Sequence, residues 1–71
     1  MEVEVSRPAA AGDLVKAERE RLGLTLTQLG RAVGTSAGTL SRIEHGVHYP
    51  RRGLAKRLSE LLGLPIERLY A

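Results

Sequence analysis

The chain has 71 residues, no cysteine, no phenylalanine, no tryptophan, and a formal net charge of +3 at pH 7. This length allows one small domain, and the absence of cysteine excludes disulfides and thiolate metal sites, so the core must be aliphatic. No apolar run approaches the roughly 20 residues that cross a bilayer, and the N-terminus lacks the basic start and apolar centre of a secretory signal. We therefore expect a cytoplasmic protein without a membrane partner.

Residues 1–12 differ from the rest of the chain. Val3 and Val5 alternate with polar residues, a period that suits a short strand, and Pro8 then interrupts the pattern. Because a strand without a partner is not stable, we predict a flexible N-terminal arm; a strand paired across a dimer is the alternative. The folded domain is expected over residues 13–71.

From Asp13 onward, short apolar-periodic segments are separated by helix-capping residues and glycines. Capping side chains accept hydrogen bonds from the free amides of a first helical turn, and glycine supplies the left-handed residue that ends a helix. The first predicted helix is Asp13–Leu22, with Asp13 as N-cap and with Leu14, Val15 and Leu22 on one face. The second is Leu26–Val33, which follows a capping box of Thr25 and Gln28, and the third is Ala37–Glu44, which follows the cap Ser36. A fourth helix is marked by Leu54, Leu58, Leu61 and Leu62, and a short fifth follows Pro65. We therefore predict an all-α fold, a compact bundle of five short helices.

Three residues, 34–36, join the second and third helices. So short a link prevents the two helices from lying antiparallel along their lengths, and it favours the steep crossing of a helix-turn-helix. Four apolar side chains are predicted to face inward and to hold this pair against the other helices: Leu29, Val33, Leu40 and Ile43.

Basic residues are concentrated between Arg31 and Arg57. This segment contains six of them and one acid, Glu44, for a net charge of +5, so the rest of the chain carries a net charge of −2. An uneven distribution of this kind is typical of a protein that binds a polyanion, although a solvated basic face gives the same pattern.

The segment Leu24–Gly46, LTLTQLGRAVGTSAGTLSRIEHG, resembles the helix-turn-helix of the Cro/C1-type (XRE-like) repressors of bacteria and phages. The matching positions are Leu29, Gly30, Gly34, Leu40, Ile43, Glu44 and Gly46, together with Arg19, four residues before Gly23, and the interval from Pro50 to Gly63. Gly30 is expected where the second helix crosses the third. The resemblance covers about Asp13 to Tyr70 and implies a lambda-repressor-like DNA-binding domain of the bacterial cytoplasm or nucleoid.

In that family the third helix lies in the major groove and its exposed face reads base edges. The outward positions here are Ala37, Gly38, Ser41 and Arg42, and an arginine can bond guanine O6 and N7 in a bidentate manner. The expected contacts to the DNA backbone come from Thr27, Arg31, Thr35, Ser36, Thr39, Arg51 and Arg52. The family usually has glutamine where this chain has Leu26, so that phosphate contact is not implied. Arg19 and Glu44 are expected to form a structural ion pair.

These residues predict a sequence-specific transcriptional regulator, a repressor, that binds double-stranded DNA as a homodimer. The alternative is a protein-interaction module of the same fold, an antitoxin or a transcription adaptor, which the nonpolar pair Ala37-Gly38 favours. No hydroxyl has an evident base partner, so we expect no enzyme. His45 and His48 lack further ligands at suitable spacing, so we expect no metal, no cofactor and no small-molecule ligand.

Overall fold

A computed structural model describes residues 8–70. It contains four α-helices, α1 (Pro8–Arg21), α2 (Leu26–Val33), α3 (Ala37–Glu44) and α4 (Arg52–Leu62), followed by a 3-10 turn (Ile66–Leu69). The prediction of an all-α helix-turn-helix fold is confirmed, and α2 and α3 have the predicted bounds. The predicted short fifth helix is present as a single 3-10 turn after Pro65. None of the described helices combines the length and apolar character that crossing a membrane requires.

The first helix begins five residues earlier than predicted. Asp13 therefore lies inside α1 and is exposed there, so its predicted role as N-cap is wrong. Residues 8–12 were assigned to the arm but are helical, and Ala11 and Gly12 are buried. Proline is favourable in the first helical position, where its missing amide would have no partner in the helix. The rest of the predicted arm, with its candidate strand, lies outside the described residues.

Each of the four α-helices is followed by a glycine with a φ angle between 70° and 75°. In every case the amide after that glycine donates to a carbonyl five residues earlier, the Schellman arrangement; the four bonds are Leu24 to Arg19, Thr35 to Gly30, Val47 to Arg42 and Leu64 to Ser59, at 2.8 to 3.1 Å. The chain thus turns away from each helix within two residues, and the connections have a defined geometry.

The predicted caps of α2 and α3 are present. The Thr25 hydroxyl accepts from the Gln28 amide at 3.0 Å, and the Thr25 amide donates to the Gln28 side chain at 2.8 Å, which confirms the capping box. The Ser36 hydroxyl accepts from the Thr39 amide at 3.1 Å. Substitution of such a cap by alanine costs about 1 kcal/mol, so both ends of the link are fixed by local hydrogen bonds.

The core is aliphatic, as the composition requires. The four side chains of α2 and α3 that were predicted to face inward are buried to 1% exposure or less, and burial of a side chain of this size stabilises the fold by about 1.5–3 kcal/mol. The other buried apolar residues are Ala11, Val15, Leu54, Ala55, Leu58, Leu62 and Leu69. Leu22, which was predicted to share a face with Val15, follows the last residue of α1 and is 42% exposed, and Leu61, which marked the fourth helix, is 44% exposed.

Two glycines allow backbones to approach closely. A Cβ on Gly12 would overlap the carbonyl oxygen of Ile43 and lie 2.7 Å from that of Glu44, so α1 packs directly on the backbone of the last turn of α3. A Cβ on Gly30 would lie 2.5 Å from the carbonyl oxygen of Thr35. Gly30 therefore makes room for the turn between α2 and α3, and the expectation that it makes room for α3 itself is wrong.

We expect Gly12→Ala to destabilise the domain by about 1–3 kcal/mol, because the added methyl group meets backbone carbonyls that cannot move independently of α3. Gly38→Ala is the matched control, since it adds the same methyl group to another helix where the nearest atoms are 3.9 and 4.0 Å away. That control should be neutral or more stable by up to about 1 kcal/mol. Urea denaturation of the two variants measures both values, and a Gly12→Ala variant as stable as the wild type would contradict the close contact.

Candidate nucleic-acid interface

The outer face of α3 carries the residues that were predicted to contact bases. Gly38 and Arg42 are exposed, whereas Ala37 and Ser41 are half-buried. The Ser41 hydroxyl lies 3.4 Å from Nδ1 of His45, a ring nitrogen that is 2.7 Å from the Ser41 carbonyl oxygen. Arg42 is therefore the one long polar side chain on this face.

Gly38 and Arg42 are one helical turn apart, and a Cβ on Gly38 would lie 4.0 Å from an Nη of Arg42. The arginine side chain thus extends back along α3 toward its N-terminus, the usual direction for long side chains on a helix. Because position 38 has no side chain, the guanidinium lies along an open surface at the end of α3 that adjoins the turn.

The inner face of α3 is fixed by a partly buried ion pair. The Arg19 Nε donates to one carboxylate oxygen of Glu44 at 2.6 Å, and an Nη donates to the other at 3.0 Å. The second Nη donates to the carbonyl of Leu24 at 2.8 Å. One guanidinium on α1 therefore bonds both the last residue of α3 and the linker that leads into α2.

Burial makes the loss of either partner of this pair costly. The Arg19 and Glu44 side chains are 13% and 4% exposed. The hydrogen bond that Arg19 donates to Glu44 raises the pKa of Arg19, against an opposite and smaller effect of burial. A raised arginine pKa preserves the charge until strongly alkaline pH, so the stability that the guanidinium contributes is present at neutral pH and is lost as pH rises through that pKa.

The basic side chains between Arg31 and Arg57 form no ion pair with an acid of the described residues. Within residues 8–70, the two ion pairs join Arg19 to Glu44 and Arg21 to Glu18, and neither includes a basic residue of this segment. The single acid of the segment is thus neutralised by Arg19, from outside it. Six cations have no ion-pair partner within the described part of the chain: Arg31, Arg42, Arg51, Arg52, Lys56 and Arg57.

A groove of 820 Å³ lies between the turn, α3, the loop after α3 and the first half of α4. Three arginines line it, Arg42, Arg51 and Arg57, and no acidic side chain does so. Half-buried Tyr49 also lines the groove while packing against the core. The groove therefore lies between the exposed face of α3 and the start of α4, with arginines on both sides of it.

The residues predicted to contact the DNA backbone lie on α2, in the turn, in the first turn of α3 and at the start of α4. Thr27, Arg31, Arg51 and Arg52 are exposed. Thr35 and Thr39 are half-buried, exposed Ser36 caps α3, and the Ser36 hydroxyl donates to that of Thr39 at 3.0 Å. Arg51 occupies the N-cap position of α4 without a side-chain cap. Sequence reasoning missed one member of this surface, Arg57, whose Nε donates to the Val33 carbonyl at 2.6 Å.

Comparison with known proteins gives one family. The sequence profile described as "Helix-turn-helix domain" matches residues 10–70. The chain belongs to the helix-turn-helix domain family. The prediction of a Cro/C1-type member of this family is confirmed, and the motif consists of α2, the turn and α3.

One relative of this helix-turn-helix domain is the HTH-type transcriptional repressor RghR of Bacillus subtilis (strain 168). It is 41% identical over 59 residues, which are 82% of this chain and 44% of RghR. The chain thus spans less than half the length of the curated relative it matches.

Two solved structures have the same fold. The chain matches PlcR of Bacillus thuringiensis, in complex with the peptide PapR7 and DNA, with a TM-score of 0.76 and 30% identity over 86% of this chain and 21% of PlcR. It also matches FeII HppE in complex with substrate, with a TM-score of 0.73 and 22% identity over 90% of this chain and 36% of HppE, which is a similarity of fold alone.

We expect Arg19→Leu to lower the free energy of unfolding by about 3–5 kcal/mol, because it leaves the Glu44 carboxylate buried without its partner. The double variant Arg19→Leu/Glu44→Leu should recover part of that loss, since both charges are then replaced by apolar groups. Chemical denaturation of the two single variants and the double variant completes the cycle. Strictly additive losses would contradict a direct interaction.

Proposed function

We propose that this domain binds double-stranded DNA in a sequence-specific manner, as the DNA-binding part of a transcriptional regulator that represses transcription, with α3 in the major groove. The observation that carries the proposal is the set of six uncompensated cations around a recognition helix whose inner face is fully packed. A basic surface of this kind attracts a polyanion, and the release of counterions from DNA supplies much of the affinity.

We propose that the sugar–phosphate backbones of the two DNA strands are contacted on either side of α3. Arg51 and Arg52 lie at the start of α4, where the first amides have no side-chain cap, so a phosphate there would meet two guanidinium groups and free N–H donors. Thr27, Arg31, Thr35, Ser36 and Thr39 are the remaining candidates, and the hydroxyls of Ser36 and Thr39 keep acceptor and donor capacity beyond their mutual bond.

Base recognition is proposed to depend mainly on Arg42. Its exposed guanidinium suits guanine, because two parallel N–H groups match O6 and N7, a contact that discriminates by about 1–3 kcal/mol. Ala37 offers a methyl group to thymine, and Ser41 offers a hydroxyl. Gly38 allows the backbone of α3 to approach the bases and leaves room for Arg42.

Two similar proteins support the proposals that this domain binds DNA and that it represses transcription. RghR is a transcriptional repressor, and PlcR was crystallised with DNA. A single domain reads only a few base pairs, so we also propose a homodimer on two half-sites about one helical turn, ~34 Å, apart. The exposed apolar side chains of Leu22 and Leu61 offer surface for that contact.

A second function is favoured by the composition of the α3 N-terminus. Ala37 and Gly38 have no polar side-chain atoms, so two of the first three positions of α3 offer no hydrogen bond to a base edge. In an antitoxin or a transcription adaptor of this fold, the same surface would bind a protein, and the affinity for duplex DNA would not depend steeply on salt.

We expect selection of bound duplexes from a random pool to enrich one motif with two-fold symmetry. Arg42→Ala should relax the preference at one base pair per half-site, because only the bidentate contact is lost, while Arg68→Ala, which removes a cation outside the basic segment, should select the wild-type motif. An enriched motif without symmetry would contradict the dimer. Failure of the wild-type domain to enrich any motif would favour the protein-interaction module.

A further inference from the structure

Arg57 links α4 to the end of α2. Its Nε donates to the carbonyl of Val33, the last residue of α2, at 2.6 Å, across 24 residues of sequence. The Schellman turn at this end satisfies the carbonyl of Gly30, which accepts from the amides of Gly34 and Thr35, and the Val33 carbonyl takes its bond from Arg57 instead. Arg57 thus supplies a hydrogen bond at the point where the chain leaves α2 for the turn.

Two glycines lie beside this guanidinium. A Cβ on Gly34 would lie 4.0 Å from the Arg57 Nε, and a Cβ on Gly53 would lie 3.4 Å from an Nη. The planar group therefore lies close to the backbone of the turn on one side and to the first turn of α4 on the other. The hydrogen bond from Nε to Val33 thus anchors one edge of an otherwise exposed guanidinium.

The bond to Val33 uses one of the five N–H donors that a guanidinium carries. Arg57 lines the groove together with Arg42 and Arg51, without an acidic side chain to compensate them. A guanidinium that is held in place and retains parallel N–H donors suits a phosphate oxygen pair. The groove, at 820 Å³, lies within the size range of sites for whole small molecules, so it accommodates a stretch of sugar–phosphate backbone and not just one phosphate.

We propose that Arg57 is a positioning residue that braces the α2–α3 turn through Nε and at the same time binds a DNA backbone phosphate through its terminal nitrogens. This inference rests on the proposed function, since it names a further phosphate contact of the same interface. The two roles are coupled, because the guanidinium that binds the DNA backbone also holds the turn that orients α3.

Arg57→Gln separates the two roles. The glutamine Nε2 lies the same number of bonds from Cα as the arginine Nε, so it keeps a donor for the Val33 carbonyl and removes the charge and the terminal nitrogens. Arg68→Gln is the matched control, because it removes an equal charge from an exposed position outside both the basic segment and the groove. Arg57→Leu removes both roles.

The readout is the salt dependence of binding to a mixed-sequence duplex, since a phosphate contact acts on all sequences alike. Each contact contributes about 0.9 to the slope of log affinity against log salt. We expect Arg57→Gln to lower the slope by about 0.9 and the affinity by about tenfold, with a melting temperature near that of the wild type. Arg68→Gln should leave the slope unchanged, and Arg57→Leu should melt at a lower temperature than Arg57→Gln.

A wild-type slope in Arg57→Gln overturns the phosphate contact, and equal melting temperatures for Arg57→Gln and Arg57→Leu overturn the brace. Either result leaves the proposed function standing if the wild-type domain binds DNA with a steep salt dependence. A wild-type domain without salt-dependent binding overturns the proposed function and, with it, this inference.

Discussion

The guanidinium of Arg19 holds three parts of the molecule in one arrangement. It bonds both oxygens of Glu44 at the end of α3 and the Leu24 carbonyl in the linker between α1 and α2. Because Glu44 is the buried charged side chain of the described residues, its carboxylate is stable there only with this partner. The same pair withdraws the one acid of the basic segment from the surface. A single interaction therefore orients α3 and leaves the positive charge around it uncompensated.

Close contacts between backbones fix the position of α3 in addition to the ion pair. Gly12 allows α1 to pack on the last turn of α3, and Gly30 allows α2 to pack on the turn between α2 and α3. Contacts between backbones leave little freedom, since no side chain can change rotamer to relieve them. A recognition helix of eight residues would be marginal by itself in water, and here it obtains its rigidity from the elements on its inner face. Its outer face remains open for Arg42, which is the arrangement that a reader of the major groove requires.

The sequence was most informative where structure is determined locally. The caps of α2 and α3 and the glycines after them lie within a few residues of the groups they bond, and the bounds of both helices followed from them. The start of α1 was wrong because Pro8 was interpreted only as a break, although proline followed by three alanines is equally typical of a first helical turn. The role of Gly12 depends on carbonyls of α3, and the bond of Arg57 crosses 24 residues. Neither has a local pattern, because partners distant in sequence are brought together only by the fold.

The orientation of α3 matters for function only if its open face meets DNA. The most direct measurement is amide chemical-shift mapping of the folded domain during titration with a duplex. We expect the largest shifts in α3, in residues 34–36 and at the start of α4, with Leu61 and the 3-10 turn little affected by the DNA itself. Shifts concentrated around Leu22, Leu61 and the 3-10 turn, with α3 unperturbed, would contradict the central claim that α3 is held in place to enter the major groove.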